Sequence, residues 1–350
     1  MQSVEELVRF ITSGRKSVTE AQAREWAYYL SQLKGCRLFS VAAQEEDPDG
    51  WLRARTHGIG GSDIATVMDE NPWSSPRKIW MSKLDMFQAD KQPTQSEAAR
   101  WGNLLETTIA TEWALRNNKQ WIHIPVTLQH EEKPWMLANV DGFVLTDDRK
   151  FITGILEIKT TTAYNEDAWK DGPLPYYYMC QTNWYCGICG LSEYDITCLV
   201  GGQHLYAYHF PADPDLFKRE TEAAEHFWNY NVLKGIEPEI TGGDLTEQLE
   251  KEFSDEAPPA IYQDEESERV VEAYVALRDK IGALEKVKES LYAQLFTYMG
   301  VSTEGIIGER TLQITRSERR SADLNRLARE FPEAYEACVS SNISTSLRIK

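Results

Sequence analysis

The feature that most constrains the fold is a strand-forming segment, from Phe151 to Thr160, that two charged residues interrupt. Side chains alternate between the two faces of a strand, so Glu157 and Lys159 point to one side. Leu156 and Ile158 point to the other side and enter the core. Burying a carboxylate and an ammonium in an apolar strand costs free energy unless the charges are paired, so charged residues in such a place often have a functional role. We therefore expect the strand to border a cleft that both charges line.

Helical and strand patterns alternate from Trp51 to about Gly235, which predicts a mixed α/β domain. The predicted elements are a helix from Gly61, a helix over 101–118, strands over 122–128, 135–145 and 151–160, a helix over 175–190, and strands over 194–201 and 204–210. The helix over 101–118 is expected to direct its apolar residues inward, and these are Leu104, Leu105, Ile109 and Trp113.

The segments on either side of this domain have different patterns, which predict four regions: residues 1–50, 51–235, 236–265 and 266–350. The first contains two helices, and the third is an acidic linker with prolines. The fourth begins with a long amphipathic helix that ends at Gly300, followed by a small β-α-β cap with a strand over 311–316, a helix over 322–337 and a strand over 345–350. The charged face of the long helix is interpreted as solvated surface, with a coiled-coil or partner-docking role as the alternative.

The net charge of −18 argues against a protein that coats nucleic acid nonspecifically, because Lys and Arg supply most of that affinity. It does not exclude a nuclease, since much of the negative charge lies between Glu237 and Glu272. No apolar run reaches eighteen residues, and the segment MQSVEELVRF lacks the features of a signal peptide. We expect a soluble, cytoplasmic protein that does not enter a membrane.

Four of the six cysteines fall close together, at Cys180, Cys186, Cys189 and Cys198. Two of them form a CxxC pattern, so a zinc or iron–sulfur site is one interpretation. The favoured interpretation is that all four are reduced thiols that pack in the core as small hydrophobic side chains.

Acidic residues near the charged strand suggest metal-dependent phosphodiester chemistry. Asp141 lies in a strand-like run sixteen positions before Glu157, and Glu106 lies on the preceding predicted helix. Mg²⁺ in proteins is held by one or two carboxylates together with waters and phosphate oxygens. Lys159 could orient a water or hold the phosphate. Glu-x-Lys on its own is a weak signal, because exposed ion pairs produce the same triplet.

Two further motifs support the same chemistry. Arg55 precedes a glycine-rich approach to a helix that carries Ser62 and Asp63, where donors could bind an anion; capping of the helix by Ser62 or Asp63 is the structural alternative. Gln181 lies on an apolar, aromatic helix and could bind a water at the metal or the DNA backbone. The tyrosines over 176–178 could stack on bases or simply pack in the core.

Together these motifs resemble the YqaJ-type viral recombinases, relatives of bacteriophage lambda exonuclease within the PD-(D/E)xK nucleases. The resemblance covers residues 51–235. Its six motifs, in order, are Arg55 with Gly58-Ile-Gly-Gly-Ser-Asp63, Trp101-Gly-Asn-Leu-Leu-Glu106, Asn139-Val-Asp-Gly142, Leu156-Glu-Ile-Lys159, Met179-Cys-Gln181 and Leu199-Val-Gly-Gly202. Val140 stands where the group has its name-giving proline, a side chain that does not bind metal.

The resemblance implies a restriction-endonuclease-like core with a central mixed β-sheet flanked by helices. It implies that Asp141, Glu157 and the backbone carbonyl of Ile158 bind Mg²⁺, with Mn²⁺ as the alternative ion. Glu106 would serve the same metal cluster, Lys159 would be the catalytic lysine, and Gln181 would match the glutamine that follows the core motif. Arg55 and Ser62 would bind the terminal 5′-phosphate.

The implied activity is 5′-to-3′ digestion of one strand at the ends of linear double-stranded DNA, which produces 3′ single-stranded tails for phage-type recombination. A single-strand annealing protein is the implied partner, and a ring-shaped homotrimer is the implied assembly. Two alternatives stay open: a structure-specific or restriction-like DNA endonuclease, and a non-catalytic DNA-binding or scaffold component of a phage recombination complex.

Overall fold

The computed structural model describes residues 2–44, 46–84, 96–170, 174–245, 261, 264–318, 323–340 and 349. The chain divides into two units, one over residues 1–249 and one over residues 250–350. Among the described residues, none of the helices combines the length and the apolar content that a bilayer span requires.

The first unit contains nine α-helices and eight strands among its described residues. The helices are α1 (Val4–Gly14), α2 (Glu20–Leu30), α3 (Pro48–Thr56), α4 (Gly61–Val67), α5 (Pro76–Lys83), α6 (Glu97–Asn117), α7 (Asp167–Lys170), α8 (Tyr176–Cys189) and α9 (Pro214–His226). The strands are β1 (Cys36–Ser40), β2 (Gln120–Ile122), β3 (Thr127–His130), β4 (Leu137–Ala138), β5 (Gly142–Leu145), β6 (Ile152–Thr161), β7 (Glu193–Val200) and β8 (His204–Pro211). The two helices predicted before residue 50 are confirmed, and each begins at a capping box.

A five-stranded sheet in the order β2-β5-β6-β7-β8 forms the centre of this unit. β6 and β7 are parallel, whereas the neighbouring pairs are antiparallel. A parallel pair needs a long crossover connection, and α8 lies within the one that joins β6 to β7. The predicted fold class is confirmed: a mixed α/β fold with a central mixed sheet and flanking helices.

The two faces of the sheet enter separate apolar clusters, as the alternation in β6 predicts. On one face, Leu156 and Ile158 pack with Ile109 and Trp113 of α6. On the other face, Ile155 joins the main core, which includes residues of α1, α2, α4 and α8. The inward direction predicted for Leu104 is wrong, because its side chain is exposed; Leu105 is only partly buried.

Two of the predicted strands are each divided between two sheets. In the segment over 122–128, β2 ends at Ile122 and β3 begins at Thr127, and Pro125 lies between them. Proline has no N–H to donate to a ladder, so the strand is interrupted there. The segment over 135–145 likewise divides into β4 and β5. β3 pairs with both β1 and β4 in a separate three-stranded sheet, and β1 is an element that the sequence patterns did not predict.

The second unit begins with a long helix, α10 (Glu265–Met299), whose first turn is capped by the Asp264 side chain. The predicted end at Gly300 is confirmed, with a positive φ of 58° that suits glycine. A hairpin of β9 (Glu304–Ile307) and β10 (Arg310–Gln313) follows, and then α11 (Leu324–Glu330) and α12 (Pro332–Cys338).

The predicted β-α-β cap differs from this arrangement. The strand over 311–316 is the second arm of a hairpin, and the helix over 322–337 is divided before Pro332, which cannot continue the preceding helix. The strand over 345–350 lies outside the described residues except for Ile349. Most of the predicted linker, over 246–260 and 262–263, also lies outside them.

A buried carboxylate in the first unit makes stability depend on pH. Glu220 of α9 is fully buried and accepts a hydrogen bond from Asn183 at 3.2 Å, while its Oε1 atom has no hydrogen-bond partner among the described residues. Burial raises the pKa of Glu220 to about 8, although the Asn183 hydrogen bond acts in the opposite direction. The folded protein therefore holds this proton more tightly than the unfolded chain does.

We predict that stability falls as the pH rises from the ordinary glutamate pKa of 4.5 to about 8. Glu220→Gln lacks this loss, so its free energy of unfolding should exceed that of the wild type by a margin that grows across this window. Across this window, the difference in free energy of unfolding between Glu220→Gln and the wild type should grow by about 3 kcal/mol. Urea unfolding at pH 5, 6.5 and 8 measures it, and parallel pH profiles for the two proteins would contradict the prediction.

Candidate active site

The candidate site lies where β5 and β6 separate. Their paired register runs from Leu145 opposite Ile152 to Gly142 opposite Leu156. β6 continues to Thr161, paired with β7 along this stretch. Asp141 precedes β5, and its Oδ2 atom accepts the Ile158 N–H at 2.9 Å. The aspartate side chain therefore occupies the place of a neighbouring strand and lies beside the charged part of β6.

Glu157 is the fully buried acid of this site. Its Oε1 atom accepts a hydrogen bond from Gln181 Nε2 at 2.6 Å and forms an ion pair with Lys159 Nζ. Its Oε2 atom is buried and has no hydrogen-bond partner among the described residues. A buried carboxylate oxygen without a donor is costly, which indicates a place for a missing positive or hydrogen-bonding group.

The electrostatics of the site also indicate an excess of negative charge. Burial and the nearby Asp141 raise the pKa of Glu157 to about 8, Lys159 lowers it, and Glu106 adds a smaller upward effect. Burial disfavours the charged form of Lys159 and so acts to lower its pKa. Glu157 and Asp141 outweigh this effect and raise the pKa above the ordinary lysine value. Three acids thus surround one ammonium, and the ammonium does not fully offset them.

Helix α8 supplies the wall opposite Glu157 and Lys159. Gln181 binds Glu157, and the Lys159 ammonium lies over the Tyr178 ring, 5.1 Å from its centroid. The Tyr185 hydroxyl lies 3.4 Å from Gln181 Nε2, and burial together with Glu157 and Asp141 raises the pKa of this phenol. Gln181 is thus placed by the helix to orient Glu157.

Glu106 joins the site from α6 through a histidine that the sequence patterns did not single out. His123 Nδ1 lies 2.7 Å from the Asp141 backbone carbonyl and 3.7 Å from Glu106 Oε1. Glu106 is therefore at the edge of the site, whereas Asp141, Glu157, Lys159 and Gln181 are at its centre.

These residues could hold a divalent cation. The described residues contain no group of three or more His, Cys, Asp or Glu side chains already arranged to hold a metal ion. The donor set still fits one, because Mg²⁺ needs only one or two carboxylates and completes its shell with other oxygens. The unpartnered oxygen of Glu157 and the uncompensated acids are the features that a cation would satisfy.

A second polar cluster surrounds Arg55 and Ser62. Arg55 Nη2 donates to Ser62 Oγ at 2.7 Å and lies 3.6 Å from Asp63 Oδ1, and the guanidinium lies over the Trp51 ring. Asp63 also accepts the Gly60 N–H, so the predicted capping role is present as well.

Lys83, at the end of α5, is a member of this cluster that the sequence patterns missed. Its buried Nζ donates to Asp63 Oδ2 at 2.8 Å and to the Arg55 carbonyl at 2.9 Å. Burial disfavours the charged form of Asp63 and so acts to raise its pKa. Lys83 and Arg55 outweigh this effect and lower the pKa of this carboxyl below its usual value. Lys83 lies beyond the glycine-rich motif in sequence, so no local spacing could have identified it.

Close packing of α4 against α8 joins the two clusters. A Cβ atom built on Gly61 would lie 2.4 Å from the Tyr185 ring and 2.9 Å from the Gln181 carbonyl. The backbone beside Ser62 therefore touches the helix that carries Gln181. The acidic site and the Arg55 cluster belong to one continuous region.

The interpretation of the cysteines as core residues is confirmed. Cys180, Cys186, Cys189 and Cys198 are free, buried and part of the main core. Tyr177 and Tyr178 are partly buried against that core, while Tyr176 is exposed.

Comparison with known proteins identifies the family. Residues 50–192 match the YqaJ-like viral recombinase domain. The protein YqaJ of Bacillus subtilis (strain 168) is 31% identical over 297 residues, which cover 83% of this chain and 91% of that protein. The chain therefore belongs to the YqaJ-like viral recombinase family, which confirms the resemblance that the motifs predicted.

Two solved structures are also similar. The alkaline exonuclease LHK-Exo from Laribacter hongkongensis has a TM-score of 0.46 and 18% identity, over 53% of this chain and 93% of that one. A phage-related exonuclease from Haemophilus somnus 129PT has a TM-score of 0.35 and 12% identity, over 51% of this chain and 96% of that one. Membership of the family rests on the sequence relationship and not on these structural similarities.

The contact between α4 and α8 can be tested by substitution. Gly61→Ala should destabilise the protein by about 1–3 kcal/mol, because the new methyl group overlaps Tyr185 and a backbone carbonyl. Gly102→Ala in α6 is the control, since its Cβ would meet only Thr160 Oγ1 at an ordinary 3.5 Å. Removing this helical glycine should be neutral or stabilise by up to about 1 kcal/mol. Equal midpoints of urea unfolding for the two variants would show that the contact is looser than described.

Proposed function

We propose that this protein is a Mg²⁺-dependent deoxyribonuclease that cleaves phosphodiester bonds at the site formed by Asp141, Glu157 and Lys159. The observation that carries this proposal is the buried Glu157 carboxylate, which has one unpartnered oxygen and lies between a second acid and an ammonium. Membership of a viral recombinase family supports DNA as the substrate.

The side chains of Asp141 and Glu157, with the backbone carbonyl of Ile158, would hold the ion, and Glu106 would serve the same cluster. Mn²⁺ is the chemical alternative to Mg²⁺. When bound, such an ion supplies Lewis-acid stabilisation of the phosphoryl oxygens and activation of the attacking water.

The chain's own groups have separable roles in this proposal. Lys159 stays protonated beside two acids, so its ammonium can hold a phosphate oxygen or orient a water. Gln181 fixes the Glu157 carboxylate through its amide N–H. The hydrogen bond from the Ile158 N–H fixes Asp141. These contacts hold the reacting groups in place before the substrate arrives.

The Arg55 cluster supports action at a 5′ end. A guanidinium paired with a hydroxyl offers several donors to a terminal phosphate, and the Arg55 side chain is partly exposed. An enzyme that anchors the 5′-phosphate of linear duplex DNA would digest that strand in the 5′-to-3′ direction. Its product would carry 3′ single-stranded tails, the form of DNA that a single-strand annealing protein uses.

Cleavage of linear duplex DNA tests the proposed metal site. With Mg²⁺, the wild type should release nucleotides, and Asp141→Asn, Glu157→Gln and Lys159→Met should each lower kcat by at least about 100-fold. Asp148→Asn and Lys150→Met, an exposed acid and lysine in the β5–β6 turn, are the matched controls and should keep full activity. An intact linear substrate, or full activity of Asp141→Asn, would exclude the nuclease. Cleavage of a closed circle would favour the endonuclease alternative.

A comparison of 5′-phosphorylated and 5′-hydroxyl ends tests the anchoring role of Arg55. The wild type should prefer the phosphorylated end, and Arg55→Ala should reduce this preference by about 10- to 100-fold, the effect of losing a charged hydrogen bond. Arg53→Ala, which removes a guanidinium from the same helix, should leave the preference unchanged. If Arg55→Ala slows both substrates equally, Arg55 does not recognise the terminal phosphate.

A further inference from the structure

Helix α10 carries an apolar stripe with the spacing of a coiled coil. From Val270 to Leu295, eight positions are separated alternately by four and three residues, which defines a heptad repeat. The d positions are Val270, Leu277, Leu284 and Leu291, and the a positions are Tyr274, Ile281, Lys288 and Leu295. We call these eight residues the seam.

The seam is exposed. Its seven apolar side chains retain between 38% and 65% of their accessible surface. The seam covers about 39 Å of helix at a rise of 1.5 Å per residue. Large contiguous apolar patches on soluble proteins mark interaction sites, so we expect a partner to cover this surface.

The residue types in the seam favour a second, parallel copy of the same helix. Leucine occupies three of the four d positions, and the β-branched Ile281 occupies an a position, a combination that favours two strands. Lys288 is the single charged residue at an a position. One such residue lowers stability but specifies register and oligomeric state in coiled coils.

The residues beside the seam are complementary in the same arrangement. In a parallel dimer, each g position faces the e position five residues later on the partner helix. Lys280 would then face Glu285 of the second copy, an ion pair that forms twice. Val287 would face Tyr292, an apolar pair; both side chains are exposed. The third such pair within the seam joins Ala273 to Arg278, so the complementarity rests on the other two pairs.

We propose that α10 pairs with α10 of a second copy of this chain as a parallel two-stranded coiled coil. This pairing does not depend on the nuclease proposal. It predicts a dimer, whereas the family resemblance implies a homotrimer. Each particle would carry two copies of the first unit.

The mass of the full chain in solution tests the seam. Under reducing conditions, which exclude disulfides through the exposed Cys338, sedimentation equilibrium should give twice the 40.1 kDa chain mass. Leu277→Asp with Leu284→Asp should give monomers at micromolar concentration. Ala276→Asp with Ala283→Asp adds the same charge to the same helix away from the seam and should leave the dimer intact. A monomeric or trimeric wild type, or a dimer that survives the seam substitutions, would overturn the proposal.

A charge exchange tests the parallel pairing in variants that retain the apolar seam. Lys280→Glu should weaken dimerisation by about tenfold, because two ion pairs become repulsive contacts. Lys280→Glu combined with Glu285→Lys should restore the wild-type dissociation constant. If Lys280→Glu dimerises like the wild type, or if the second exchange does not rescue it, the proposed parallel arrangement is wrong.

Discussion

The structure of the candidate site depends on one hydrogen bond, from the Ile158 N–H to the Asp141 carboxylate. Pairing between β5 and β6 reaches Gly142 and Leu156, and the next free donor of β6 is taken by a side chain. This bond satisfies the backbone and fixes an acid beside Glu157 at the same time. The opening between the strands and the charge that lines it are therefore consequences of the same local geometry.

Burial then gives that geometry its chemical character. Glu157 lies out of water beside Asp141, so its negative charge is disfavoured unless a positive group is near. Lys159 supplies part of that charge, and Gln181 supplies a donor to one oxygen. The remaining oxygen and the remaining negative charge fit a divalent cation better than they fit a purely structural ion pair.

The sequence was sufficient to predict the features that depend on local alternation and order. The charged face of β6, the helix that carries Gln181 and the long helix α10 followed from periodicity, and the family followed from six ordered motifs. Contacts between distant segments were not predictable in this way. Lys83 reaches Asp63 only because α5 packs near α4, and His123 meets Asp141 only because β2 pairs with β5. Pro125 was a local signal for the division of the segment over 122–128. The sheet that each short strand joins was not predictable, because it depends on partners distant in sequence.

Binding of a divalent cation to the intact chain would show whether Glu157 belongs to a metal site. Mn²⁺ can be followed by electron paramagnetic resonance, with Glu157→Gln compared against the wild type and Glu220→Gln as a control for loss of a buried acid elsewhere. We expect that the wild type and Glu220→Gln bind Mn²⁺, that Mg²⁺ displaces it, and that Glu157→Gln loses this binding. Equal Mn²⁺ binding by the wild type and Glu157→Gln would show that Glu157 does not hold the cation.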